Sequence, residues 1–286
     1  METTGTILSE IYKPRPSEAR KYDYGLLIVI GGSEFYSGAP ALSAMAAFRA
    51  GVDMIRIIAP KRAADIIASF SPNLAAYPLN GDRITKKHVA TLVEMTESAK
   101  ISAKGKVAVV IGGGMGRSEE TQKAIIEYLS QISIPAVIDA DGIHAVAKKP
   151  EVINGKNFVF TPHAYEFAAL TGKEVAGKSE EERMRLVRAE AARLKTTILL
   201  KGGMDVISNG NEVTLNRTGS PYMTVGGTGD TLAGICGAFL ARGIDAFAAL
   251  QAAAYLNGKA GEIAAAAKGE GLLATDLIEA IPGIIA

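Results

Sequence analysis

The chain is poor in the residues that most often carry conspicuous chemistry. Cys236 is its single cysteine, which excludes an intrachain disulfide, a cysteine-rich zinc site and a CxxC redox pair. It falls on the apolar side of a helical pattern, where a thiol packs as a small hydrophobe. There are three histidines. His88 follows two lysines in ITKKHVATLVEM and reads as a solvated helix residue. Excess charge is also missing: a formal net charge of +1 with no dense basic tract argues against a nucleic-acid partner, so anionic ligands must be met by local features. No uninterrupted apolar run is long enough to span a bilayer, and METTGTILSE lacks the basic start and apolar core of a signal peptide. The expectation is a cytoplasmic protein without a membrane partner. Linkers and internal repeats are absent too. The longest polar patch, GKSEEERMR (177–185), runs directly into a helix-like segment, so one domain over 1–286 is expected.

What is present alternates. Short apolar runs, GLLIVI (25–30), MIRIIA (54–59), VAVVI (107–111), AVID (136–139), FVF (158–160) and ILLK (198–201), recur between helix-like segments at 39–50, 84–98, 119–130, 166–170 and 180–194. Continuous rather than alternating apolarity predicts strands covered on both faces. Strand alternating with helix predicts an α/β fold of three layers, a mostly parallel central sheet with helices on both faces. After Lys201, DVIS and EVTLN flank NGN (209–211), residues that accept positive φ, which predicts a small antiparallel hairpin. The segment 246–267 reads as a long helix of small residues that packs closely on its neighbours.

Ligands of open parallel sheets bind outside the carboxyl ends of the strands. Five unusual loops fall there: GGSEFYSGA, GGGMG, DADG, TPHAYE and KGG. In the first, Gly31, Gly32 and Gly38 bracket Ser33 and Tyr36, so backbone amides could approach a ligand. GGGMG (112–116) could admit a flat ligand or a phosphate, but it is no dinucleotide fingerprint, since the third glycine of GxGxxG would fall at Arg117. No Walker A motif occurs. In DADG, Asp139 and Asp141 could hold Mg²⁺ through waters, or Asp141 could cap the short helix that includes His144, which then packs or bonds locally. In TPHAYEF, Pro162 stops the strand and presents His163. Glu166 either complements a helix dipole or orients a metal-bound water or phosphate. Lys201 needs an anionic partner, a ligand phosphate or a neighbouring carboxylate, and Gly202 and Gly203 favour the ligand.

The stretch TVGGTGDTLAGICGAFLARG (224–243) adds the acid. Leu232, Ile235, Cys236, Phe239 and Leu240 recur at helical spacing, so a helix begins near Asp230. Asp230 could serve only as its N-cap, but capping leaves Gly226, Gly227 and Gly229 unexplained. Their N–H groups at a helix N-terminus would suit a phosphate. Together the loops offer anion cradles, a lysine and an acid, a set suited to phosphoryl transfer with Asp230 as base toward a hydroxyl.

GGSEFYSGAPALSAMAAFRAG, VIDADG, TPHAYEF, LLKGG, GGTGDTLAGICGAFLARG and GLLATDLIEAIP together resemble the ribokinase-like superfamily and, within it, the ADP/ATP-dependent NAD(P)H-hydrate dehydratases. The likeness runs from Gly25 to Pro282. It implies a ribokinase-like fold and a repair reaction: NADH or NADPH damaged by hydration (NADHX, NADPHX) is phosphorylated on its C6 hydroxyl, phosphate is eliminated, and the ring double bond returns. Asp230 would be the base, with Gly227 and Gly229 stabilising the transferred phosphate. Ala39, Gly114, Met115, Gly116, His163 and Asp230 would contact the hydrate. Lys201, Gly202, Gly203, Met204 and Asp205, with Gly219, Gly227, Thr228 and Gly229, would hold the nucleotide. ADP is preferred to ATP as donor, with Mg²⁺ as cofactor placed near Glu166 and Asp139 through water. The resemblance also implies a homo-oligomer, a tetramer. About two dozen residues precede the first strand, too few for the epimerase domain often fused there, so a separate epimerase is expected. Departures from the usual pattern are the missing proline in GGGMG, Ser220 for asparagine, Asn257 for histidine, and ARKYDYG where His-Lys-Gly is usual. The alternatives are a small-molecule kinase of the same superfamily, acting on a vitamin precursor or sugar, and a non-catalytic nucleotide sensor.

Overall fold

The computed structural model describes residues 2–285. Nine strands form one sheet: β1 (Leu26–Ile30), β2 (Met54–Pro60), β3 (Ala76–Leu79), β4 (Val107–Ile111), β5 (Ala136–Ile138), β6 (Phe158–Phe160), β7 (Thr197–Leu200), β8 (Asp205–Ser208) and β9 (Val213–Asn216). Their order is β3-β2-β1-β4-β5-β6-β7-β8-β9. The first seven run parallel, and β8 and β9 complete the sheet as the antiparallel hairpin around NGN.

Two cores flank the sheet because successive side chains of a strand point to opposite faces. Leu27 and Val29, with Ala108 and Val110, pack beneath the helices Gly38–Arg49, Thr228–Ala241 and Ala246–Lys268. Leu26, Ile28 and Ile30, with Val107, Val109 and Ile111, pack under the helices Val89–Ser102, Glu119–Gln131 and Glu180–Leu194. Cys236 lies fully buried in the first of these cores.

From β1 the chain turns outward to β2 and β3, then returns to add β4 on the other side. That reversal of strand order makes the carboxyl ends of β1 and β4 the crevice where open α/β sheets bind ligands. The loops GGSEFYSGA and GGGMG leave from those two ends.

Several local expectations are corrected. The strand AYPL and the helix Lys61–Phe70 were not expected. His88 is buried rather than solvated: its Nδ1 accepts from Thr85 N at 3.1 Å, and its Nε2 lies 2.9 Å from the Asn80 carbonyl. The glycine-rich helix starts at Thr228 with Gly227 as N-cap, so Asp230 sits in its first turn and is not the cap. Among the described residues no helix is long and apolar enough to cross a membrane.

Candidate active site

A half-buried lysine organises the ends of β5, β6 and β7. Lys201 Nζ lies 3.0 Å from Asp139 Oδ1 and 3.8 Å from Glu166 Oε2. Thr161 donates its hydroxyl to the same Asp139 oxygen at 2.8 Å. Of the two partners open to Lys201 in the sequence, the carboxylates are the ones it contacts. Burial works against its charge, but Asp139 and Glu166 outweigh that effect and hold its pKa above the ordinary lysine value.

His163 and Glu166 are tied to one another. Glu166 Oε2 accepts from His163 N at 2.9 Å, while His163 Nδ1 accepts from the amides of Tyr165 and Glu166 at 3.1 and 3.3 Å. This reciprocal capping box starts the helix Ala164–Thr171. It leaves His163 Nε2 3.3 Å from Glu166 Oε1, at the mouth of a cleft.

The acid comes from the opposite direction. Gly227 adopts φ of +103°, and a Cβ there would meet Leu42 Cδ1 at 2.6 Å, so only glycine can turn the chain into the helix Thr228–Ala241 at this point. Thr228 Oγ1 donates to the carbonyls of Met223 and Val225. Asn257, buried on the long helix, receives the Thr231 hydroxyl at 2.7 Å and donates to the Thr228 carbonyl. The turn is thus clamped, and the main-chain N–H groups of Gly227, Thr228, Gly229 and Asp230 make no hydrogen bond among the described residues. They are the free donors of a helix N-terminus. Burial, reinforced by Asp139 and Glu166 and opposed by Lys201, pushes the Asp230 carboxyl up to about 7, the range suited to a general base at neutral pH.

Asp230 faces the glycine loop after β4. A Cβ on Gly113 would stand 3.0 Å from Asp230 Oδ1 and 3.1 Å from Ala39 Cβ, and one on Gly114 would meet Tyr36 Cβ at 2.8 Å. Ala39, Gly114 and Asp230 are therefore brought together. Gly112 is glycine because a Cβ would fall 1.8 Å from the Asp139 carbonyl oxygen. Asp141 neither caps the following helix, whose N-cap is Ala140, nor joins Asp139: its carboxylate accepts from Gly116 N at 2.8 Å and Arg117 Nε at 2.9 Å, stapling the loop. Met115 turns its side chain into the core, so only its main chain is left for a ligand. His144 is half-buried, and burial together with the Arg117 charge lowers its pKa.

On the far side of Gly229 opens a cleft of about 800 Å³. Lys201, Gly202, Gly203, Asp205, Gly219 and Thr228 are among its lining residues, and so is His163, which was expected to face the hydrate. Asp205 shapes the KGG turn by accepting from Gly202 N at 3.0 Å and Asn216 Nδ2 at 2.9 Å. Its carboxyl is pushed up to about 6 by burial, against those two bonds. Met204 and Gly227 do not line the cleft. Thr218, Ala254, Asn257 and Gly258 do, and they were not among the residues expected to. A buried asparagine in a helix of alanines was the one signal in the sequence that could have found them.

A family described as NAD(P)H-hydrate dehydratase matches residues 27–283. The chain belongs to this family. A bifunctional NAD(P)H-hydrate repair enzyme from Pyrobaculum aerophilum is 46% identical over 273 residues, which cover 95% of this chain and 52% of that protein. The chain spans about half the length of such bifunctional relatives. An ADP-dependent (S)-NAD(P)H-hydrate dehydratase from Cenarchaeum symbiosum is 37% identical, over 95% of this chain and 92% of its own. Among solved structures, an ADP/ATP-dependent NAD(P)H-hydrate dehydratase from Bacillus subtilis, co-crystallised with ATP and Mg²⁺, superposes with a TM-score of 0.82 at 26% identity, covering 98% of this chain and 96% of that one. The ribokinase-like architecture of the NAD(P)H-hydrate dehydratases is therefore the architecture of this chain.

The donor set limits how a metal could bind here. Among the described residues no group of three or more His, Cys, Asp or Glu side chains is arranged to hold an ion, and Asp139 and Glu166 already face Lys201. They fit an ion held through water and nucleotide phosphates, because Mg²⁺ keeps several waters and takes one or two carboxylates beside phosphate oxygens.

Proposed function

We propose that this protein, with residues 1–286 acting as one domain, restores hydrated NADH or NADPH in a reaction driven by ADP or, less readily, ATP. The observation that carries the reading is the placement of Asp230 between a glycine-walled crevice and a helix N-terminus that opens on a separate cleft, where burial pushes its carboxyl up to about 7. The crevice takes the hydrate and the cleft takes the nucleotide. Asp230 removes the proton from the C6 hydroxyl as that oxygen attacks the terminal phosphorus. The amides of Gly227, Thr228, Gly229 and Asp230 receive the charge developing on the phosphoryl oxygens, an effect worth roughly two to three orders of magnitude in rate per donor. Lys201 offsets negative charge at the junction. With ADP as donor the first step yields AMP and a phosphate ester at C6. Expulsion of phosphate from C6, with loss of a proton from the ring, regenerates the double bond. Phosphorylation is needed because hydroxide is a poor leaving group.

Bound Mg²⁺ would neutralise phosphate charge, held through water by Asp139 and Glu166. His163, which lines the cleft, would reach the hydrate where the cleft and the crevice meet. The relatives of similar length whose names specify ADP favour that donor. A homotetramer and a cytoplasmic site of action belong to the same proposal. The test is to mix the purified protein with hydrated NADH, Mg²⁺ and either nucleotide, following dihydronicotinamide absorbance. Recovery that requires ADP is expected. A phosphorylated small molecule accumulating without recovery would favour the kinase reading.

A further inference from the structure

Tyr36 is an aromatic side chain that the chemistry above leaves unused. It is 61% exposed, and its neighbour Phe35 is 79% exposed. Rings presented to water on a short loop ordinarily lie on something that moves. This loop is braced from behind. Ser33 N donates to the Tyr36 carbonyl at 2.9 Å and Glu34 N to the Asp82 carbonyl at 2.7 Å. Arg62 Nη1 donates to the Glu34 carbonyl at 2.6 Å, and Arg83 lies 3.6 Å from the Glu34 carboxylate. Ser33 itself is buried. These contacts hold the main chain of the loop from which the Tyr36 ring projects, and a pre-ordered loop lowers the entropic cost of binding.

The position of that ring is specific. Gly113 and Gly114 are consecutive: the first turns its open side to Asp230 and Ala39, the second to Tyr36 Cβ and Cγ, at 2.8 and 3.6 Å from where a Cβ would be. One residue of glycine loop thus separates the root of the Tyr36 ring from the base, on the side of Asp230 away from the nucleotide cleft. Phe35 makes no such approach to the glycine loop.

We propose that Tyr36 positions the reacting ring: the planar amide-conjugated part of the hydrated nicotinamide lies against the Tyr36 ring while the C6 hydroxyl points to Asp230. The identity of the ligand rests on the dehydratase reading; the placement rests on the loop. Contact with an aromatic face is worth about tenfold in affinity. The contact uses the ring and not the phenol.

The test compares Tyr36→Ala, Tyr36→Phe and Phe35→Ala, measuring binding of NADH by its own fluorescence and, in parallel, kcat and KM for hydrated NADH and for ADP. Tyr36→Ala should weaken NADH binding and raise KM for the hydrate about tenfold, leaving KM for ADP unchanged. Tyr36→Phe should restore both, and Phe35→Ala should resemble the unaltered protein. Equal NADH binding by Tyr36→Ala and the unaltered protein would overturn the proposal. So would loss of oligomer mass in Tyr36→Ala with unchanged NADH binding, which would make the ring a subunit contact. If the unaltered protein binds NADH through Tyr36 but never dehydrates the hydrate, the dehydratase reading falls and the ring contact stands.

Discussion

On one side of Asp230 the site is closely walled, and on the other it is open. Toward the crevice, a methyl group added at Gly113 or Gly114 would press on Asp230, Ala39 or Tyr36 within about 3 Å. Toward the nucleotide cleft, a Cβ on Gly203 would meet nothing within 4 Å, although one on Gly202 would meet Arg183 Nη2 at 2.7 Å. Gly113 and Gly114 are there for space, whereas Gly203 could carry a side chain without a clash. On the proposed function, shape would select the ligand in the crevice, whereas fixed dipoles and the Lys201 charge would select it in the cleft.

The largest effect should come from the group the two sides share. Asp230→Asn removes the base and should lower kcat about 10³-fold, while ADP affinity, measured by calorimetry, stays within about twofold because the amides remain. Equal losses of turnover and of ADP binding would erase the distinction between the sides. Lys201→Met leaves Asp139, Glu166 and Asp230 without their cation. It should cost about 10²-fold in kcat and move the acid limb of the rate profile to higher pH, read from kcat/KM across pH.

In the unaltered protein that limb should have its midpoint near 7, since Asp230 must be ionised to accept a proton. The same shift has a stability consequence of opposite sense to the usual carboxylate. Burial in the folded state pushes the Asp230 carboxyl from its ordinary value of 3.8 up to about 7. Between those values the folded state binds more protons, so this group's contribution falls as pH rises from about 4 to 7 and stays low above. Asp230→Asn should therefore raise the melting temperature at pH 8 and lose that advantage at pH 4, a change of about 4 kcal/mol in order of magnitude. A melting temperature that gains equally at both pH values would mean that burial does not perturb the carboxyl.

Gly113→Ala and Gly203→Ala test the walls directly. The first forces Asp230 or Ala39 to shift by a few tenths of an ångström and should lower kcat about tenfold, since reacting groups tolerate little displacement. The second should change kcat and KM for ADP by less than about twofold, because its Cβ enters open space and only backbone freedom is lost. Steady-state kinetics on the pair would reverse the comparison if Gly203→Ala proved the more damaging.

Much of this arrangement was legible in the sequence where one residue type has one physical reading. Runs such as VAVVI are strands buried on both faces, and NGN is a hairpin. The glycines before TLAGICGAFL begin a helix. β3 was hidden because AYPL is short, carries Pro78 and lies at the sheet edge with Tyr77 and Pro78 exposed, so it lacks the apolar run by which a strand is recognised. The helix Lys61–Phe70 follows β2 without a polar cap, its N-cap being Pro60. Within the site, Asp230, Lys201, His163 and the glycine loops stood out. What those loops do to one another did not: that Asp141 staples the Gly116 amide, that His163 and Glu166 cap the same helix, and that Asn257 clamps the Gly227 turn depend on pairings 25, 3 and 26 to 29 residues apart. Separation alone does not decide which are legible. TPHAYE holds its own capping pair at short range, yet histidine as the capping acceptor is unusual enough to pass unnoticed.

The most direct measurement is the ratio of free phosphate released to dihydronicotinamide restored when the protein turns over hydrated NADH with ADP. Equal amounts of phosphate, AMP and NADH, with no phosphorylated hydrate remaining, are the predicted result. AMP formed together with a stable phosphorylated product and no NADH would contradict the account and leave the site a kinase.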